Sequence, residues 1–60
     1  MKNYLFEIVS GDYEGERFFI YANSREECDE TLALYFPDEE VKLQGIYSDE
    51  DADILGYDTY

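Results

Sequence analysis

The residues most able to do chemistry in this chain are its carboxylates. Three of them, Asp49, Asp51 and Asp53, fall at the first, third and fifth positions of an EF-hand calcium loop. The frame then breaks. Its sixth position calls for glycine and holds Ile54, and its twelfth calls for a bidentate glutamate and holds Tyr60. Starting instead at Asp51 places Gly56 correctly but leaves the frame incomplete. The segment therefore reads as a solvated acidic turn, and no metal or other cofactor is expected. Carboxylate pairs can also act as general acid and base, but that work needs water excluded around groups whose pKa values are pushed apart, and a short chain has little with which to enclose a cleft. Sixteen acids in sixty residues explain the pairs by proximity alone. Cys28 lies near a predicted helix N-terminus. With no histidine and four neighbouring acids its thiolate is disfavoured, so it reads as a small apolar residue on a buried stripe. The chain is expected not to be an enzyme.

The seven tyrosines point to contact instead of catalysis. Tyrosine brings a large contact area at little rotamer entropy and is enriched in binding hot spots. Tyr4, Tyr21, Tyr35 and Tyr47 lie in predicted strands and helix and are expected to fill the core with their hydroxyls at the surface. Tyr13, Tyr57 and Tyr60 lie in a loop and a tail beside acids, and are the better candidates for meeting a partner.

The elements that position these residues follow from periodicity. Asn3 to Ser10 reads as a strand with Tyr4, Phe6 and Ile8 on one face and Leu5, Glu7 and Val9 on the other, as suits a central strand. Two glycines within Ser10 to Glu16 predict a hairpin loop, and Arg17 to Ala22 predicts the second strand, antiparallel to the first. Ser24 and Glu27 form a capping box, with the Glu27 carboxylate expected to reach back to the cap amide. Pro37 ends the helix at about Tyr35 or Phe36. Its apolar stripe is Cys28, Leu32, Tyr35 and Phe36, and Glu26, Glu30 and Ala33 lie opposite. Val41, Leu43 and Tyr47 alternate with Lys42, Gln44 and Ile46 in a third strand, with a bulge or close approach expected at Gly45. Beyond it, Ser48 to Asp53 holds four acids and a second cap-like Ser-x-x-Asp pattern from Ser48 to Asp51, Ile54-Leu55-Gly56 suggests a single helical turn with its C-terminal glycine, and Tyr57 to Tyr60 is read as a short strand or a frayed tail. The expected fold class is α+β: one domain over residues 1–60, a small antiparallel sheet of about three strands in the order β-β-α-β, one helix on one face and a short acidic C-terminal turn or helix.

A chain this short buries only about 60% of its unfolded surface, so its core is thin. Yet 45% of its residues are hydrophobic and 18% aromatic, too many for a disordered acidic tail. One cysteine excludes an internal disulfide framework, and no histidine or second thiol is present for a zinc site. No leader-like apolar run and no membrane-length segment occurs, so a soluble, cytoplasmic protein is expected. Four basic residues against sixteen acidic ones give a net charge of −12. Like charge excludes nucleic acid and anionic membrane as direct partners and points to a basic protein. A homodimer is compatible with the composition.

The acids fall in four clusters: Asp12, Glu14 and Glu16; Glu26, Glu27, Asp29 and Glu30; Asp38, Glu39 and Glu40; and Asp49, Glu50, Asp51 and Asp53. The second sits where a helix N-terminus favours anions. The third follows a helix C-terminus, where anions are locally unfavourable and a functional reason gains weight. In size, charge and tyrosine content the chain resembles the small acidic DNA-mimic proteins that phages encode against host nucleic-acid machinery: anti-CRISPR proteins, restriction inhibitors and uracil-DNA glycosylase inhibitors. The resemblance is one of composition over the whole chain, with no shared motif. It implies an inhibitor whose carboxylates stand in for phosphates in a basic groove, working in the host cell cytoplasm. The residues expected to meet the partner are Asp12, Tyr13, Glu14, Glu16, Glu26, Glu30, Asp38, Glu39, Glu40, Asp49, Glu50, Asp51, Asp53 and Tyr57. The alternative is an acidic module, such as an immunity protein or regulatory subunit, for a basic partner without a nucleic-acid role. A surface acidic only for solvation would spread its charge evenly.

Overall fold

The computed structural model describes residues 1–60. The chain order is β1 (Lys2–Ser10), β2 (Arg17–Ala22), α1 (Arg25–Tyr35), β3 (Glu40–Tyr47) and α2 (Asp49–Leu55). The three strands form one antiparallel sheet in the order β2-β1-β3, an α+β architecture. β1 is central, as its two apolar faces require. Tyr4, Phe6 and Ile8 join Phe18, Ile20 and Ala22 of β2 under α1, which contributes Cys28 and Leu32. On the opposite face Leu5 pairs across strands with Phe19, and both are buried. Tyr47 and Tyr57 cover Phe19 there, with ring centroids 6.0 Å away in each case.

β1 and β2 are joined through Gly11 and Gly15, both at positive φ (100° and 91°), where a side chain would be strained. Ile8 N–H donates to the Glu16 carbonyl at 2.9 Å and Gly15 N–H to the Ile8 carbonyl at 2.7 Å, closing the loop.

α1 has the predicted limits. The Ser24 hydroxyl accepts from Glu27 N–H at 3.4 Å. The Glu27 carboxylate reaches one residue further back than a standard capping box, accepting from Asn23 N–H instead of the cap amide. At the other end the Phe36 N–H donates to the Leu32 carbonyl, after which Pro37 prevents continuation.

β3 departs from simple alternation. Leu5 stands opposite Gly45 while Phe6 stands opposite Leu43, so Gln44 is an extra residue, a β-bulge. The side-chain phase flips there. Val41 and Leu43 pack under α1, whereas Gly45 and Tyr47 face the other side, so the single face predicted for Val41, Leu43 and Tyr47 is corrected to two. Tyr47 folds back over Gly45, where an added Cβ would lie 3.2 Å from the ring.

The acidic segment after β3 forms the short C-terminal element. Of the expected turn or helix it is the helix, two turns long instead of one and starting at Asp49: the Ser48 hydroxyl accepts from Asp51 N–H at 3.2 Å, and Gly56 ends α2 in the left-handed conformation (φ 72°). Asn3, the one buried polar residue, donates to Asp49 Oδ1 at 2.7 Å and to the Tyr47 carbonyl at 3.3 Å, tying α2 to the start of β1. From there α2 carries the chain to the outer edge of β2. The last residues pair parallel with that strand: Phe19 N–H donates to the Asp58 carbonyl at 2.7 Å and Tyr60 N–H to the Phe19 carbonyl at 2.8 Å. The tail is thus tied to the β2 edge by an isolated parallel bridge at Thr59, outside the three-stranded sheet. It sends Tyr57 over one face of the sheet, and on the other the Tyr60 ring stands edge-on to Phe18 and Phe36. No helix is long and apolar enough to cross a membrane.

Candidate functional site

The chain holds four cationic side chains, and both arginines are engaged internally. Arg17 Nε donates to Glu7 Oε1 at 2.9 Å and Arg25 Nε to Asp29 Oδ1 at 3.1 Å, and these are the only ion pairs. The Arg25 guanidinium also lies 4.9 Å from the Phe6 ring centroid. The Glu7 carboxylate, followed by the Tyr57 hydroxyl, holds the Arg17 pKa above its ordinary value by hydrogen bonding. Sixteen carboxylates less these two leaves fourteen with no basic partner in the chain.

Topology decides where those fourteen stand. β1 ends and β2 begins at one end of the sheet, and α1 ends and β3 begins at that same end. Antiparallel pairing therefore brings the hairpin acids Asp12, Glu14 and Glu16 beside Asp38, Glu39 and Glu40, although more than twenty residues separate the groups in sequence. Glu40 stands opposite Ser10 in register, and the Glu39 side chain lies against Gly11, whose added Cβ would be 3.5 Å from Glu39 Cγ. Five of these six acids are exposed, and Glu39 is half-buried. Glu26 and Glu30 are exposed on α1, one helical turn apart, about 6 Å along the axis. The hairpin acids and the Asp38–Glu40 turn thus form one acidic band, whereas Glu26 stands in the first turn of α1, toward the opposite end of the sheet, and the exposed Leu34 follows Glu30 one turn on along the helix. Within α1 the other acids are used locally, Glu27 in the cap and Asp29 against Arg25.

The fourth cluster lies elsewhere. Asp49, Glu50 and Asp51 occupy the first turn of α2, where the helix dipole favours them, at the end of the sheet remote from the hairpin. Asp49 is held by Asn3. Asp53 lines a shallow, mostly polar depression with Asn3, Asp49 and Tyr57. The one-three-five calcium spacing falls on a helix, where Asp49 and Asp53 share a face that Asp51 does not. The sequence leaves open which clusters share a face; in the fold this one lies at the opposite end of the sheet from the hairpin and Asp38–Glu40 acids.

The tyrosines also divide differently from expectation. Tyr4 is buried and Tyr47 half-buried, but Tyr21 and Tyr35, expected in the core, are exposed, Tyr35 by 56%. Tyr57, a candidate for meeting a partner, is half-buried against Phe19 and Arg17. Tyr13 is exposed as expected. It shares a cleft of about 390 Å³ with Glu16, Tyr35, Phe36, Glu39 and Tyr60, at the same end of the sheet as the acidic band. Tyr35 was missed because the stripe spacing that finds Leu32 also includes Tyr35. Only the tail, arriving at β2 from the other face, shows that the ring is left outside.

Compared with protein-family models, with curated proteins and with solved structures, the chain matches none.

Proposed function

We propose that this protein is a DNA-mimic inhibitor: it presents carboxylates in place of backbone phosphates and occupies the basic nucleic-acid groove of a defence or DNA-processing protein. The observation that carries this reading is the band of Asp38, Glu39 and Glu40 with Asp12, Glu14 and Glu16 at one end of the sheet, in which no acid is neutralised by a cation of the same chain. A solvation surface would spread charge evenly. Here two segments distant in sequence converge, and the Asp38–Glu40 turn follows a helix end with no basic residue in its last turn. Phosphates in a groove are met by lysine and arginine spaced along each strand. A dense carboxylate band offers such a groove similar contacts without a flexible polymer to order. Association would be fast and salt-dependent because charge steers it.

The test is competition. Tagged protein is used to capture partners from lysate, and duplex DNA is then added. Nucleic-acid-binding partners should be released by the DNA, and retention should fall steeply between about 0.1 and 0.5 M salt. Partners that have no nucleic-acid groove and stay bound under both treatments would instead identify an acidic module for an unrelated basic protein. Replacing Asp38 and Glu39 by lysine should weaken the captured complex at least tenfold. Because the substitutions place cations at a helix C-terminus, the melting temperature should hold or rise, each being worth about 0.3–1 kcal/mol.

A further inference from the structure

We infer that the cleft between the hairpin, the end of α1 and the C-terminal tail is a receptor for an arginine side chain of the protein partner. The proposal rests on the reading above only in taking that partner to be basic.

Four aromatic residues and two carboxylates line the cleft: Tyr13, Glu16, Tyr35, Phe36, Glu39 and Tyr60. Tyr60 stands between two of the others, its ring 5.3 Å from Tyr35 at 48° and 5.2 Å from Phe36 at 83°. The rings therefore make walls at an angle to one another instead of a flat stack. Tyr13, Tyr35 and Tyr60 keep 54%, 56% and 43% of their surface exposed, a large aromatic area for so small a domain to leave in water. The electrostatics select what fits. Ring faces carry negative quadrupole potential and attract cations, and Glu16 and Glu39 add full charges at the rim. Neither carboxylate has a hydrogen-bond or ion-pair partner in the chain, since the two arginines are engaged with Glu7 and Asp29. Lys2 and Lys42 do not reach the cleft.

Among cationic side chains, guanidinium suits this lining best. It is planar, stacks on aromatic faces, sheds water more readily than ammonium and donates in pairs to carboxylates. The volume lies at the low end of the range for small-ligand pockets, as a single inserted side chain would need. Rigid aromatic anchors beside an acidic band divide the work of recognition: the band steers the partner, and the cleft fixes its register.

The experiment is an NMR titration of the isolated protein with three capped tripeptides, Gly-Arg-Gly, Gly-Lys-Gly and Gly-citrulline-Gly. The arginine peptide should shift ring and backbone signals of Tyr13, Tyr35, Phe36 and Tyr60, with a millimolar Kd. It should bind at least fivefold more tightly than the lysine peptide, and citrulline, its neutral isostere, should give no saturable shift. The paired variant Glu16→Gln with Glu39→Gln should weaken arginine at least fivefold without lowering the melting temperature, as should Tyr35→Leu. Equal response to arginine and citrulline, shifts spread over every acidic cluster, or tighter binding of lysine would each overturn the assignment. The outcome is separable from the competition test. Arginine bound in the cleft by a protein that does not compete with DNA removes the mimic reading and leaves the cleft, and DNA competition without arginine binding does the reverse.

Discussion

At the scale of single residues, two groups show how burial decides chemistry here. Cys28 is fully buried under the sheet, and desolvation pushes its thiol pKa up, with Asp29 and Glu27 adding to the shift against the opposing pull of Arg25. A thiol held protonated and covered is a poor nucleophile. Native protein at neutral pH should therefore resist iodoacetamide over hours and react within minutes once denatured; rapid labelling of the native form would show that α1 opens. The sign of the pH dependence follows. Because the folded pKa is raised, this thiol's contribution is complete below the unfolded value, about 8.5. It declines as pH climbs through the folded value, so this thiol should lower urea midpoints on the alkaline side, a fall that Cys28→Ser should lessen. Asn3 is the complementary case, a buried amide whose two hydrogen bonds lock α2 to β1. Its place in an alternating strand gives no hint of this partner.

At the scale of elements, α2 is the clearest instance of an end signal outweighing composition. Four acids in seven residues suit a solvated turn as well as a helix, and the end signals legible in the sequence decide it: Ser48 caps the first turn, the dipole accommodates Asp49, Glu50 and Asp51, and Gly56 supplies the left-handed residue that ends the helix. Gly56→Ala should cost about 1 kcal/mol in chemical denaturation, with Gly56→Asn closer to wild type, because the penalty is that of a Cβ at positive φ and no neighbouring atom crowds the site. The strands were legible for the usual reason: alternation of Tyr4, Phe6 and Ile8 against Leu5 survives any tertiary detail. The bulge at Gln44 was legible only as an expectation at Gly45, since its exact place is set by which residues of β1 are free to pair. It also serves the sheet. β3 is the uncovered edge, and a bulge with Glu40 and Lys42 along it makes a poor template for another strand.

At the scale of the molecule, a slab of 30 × 22 × 14 Å carries a net charge of −12 on a core of ten apolar residues. A domain of this size has roughly 3–9 kcal/mol of stability to lose. Removing Phe6 or Phe19, both fully buried, would cost about 3–5 kcal/mol, enough to unfold much of the population. Charge repulsion acts on the same narrow margin. Fourteen carboxylates without basic partners should make the protein salt-stabilised: the melting temperature should rise by several degrees between about 10 mM and 0.5 M sodium chloride, whereas a surface balanced by ion pairs would lose stability or stay level.

By itself the sequence determined the class of fold, the limits of α1, the antiparallel hairpin and the sign of the surface charge. These depend on period, on cap and breaker residues and on net charge, all of which are local or additive. Only the tertiary structure decided which acids stand together, because that depends on two antiparallel crossings bringing Asp12–Glu16 and Asp38–Glu40 to one end of the sheet while α2 takes Asp49–Asp53 to the other. It also decided that Tyr57 packs inward while Tyr35 and Tyr60 open a cleft with Tyr13. Those positions are set by the path of the last four residues across the edge of β2, and no spacing along the chain encodes that path.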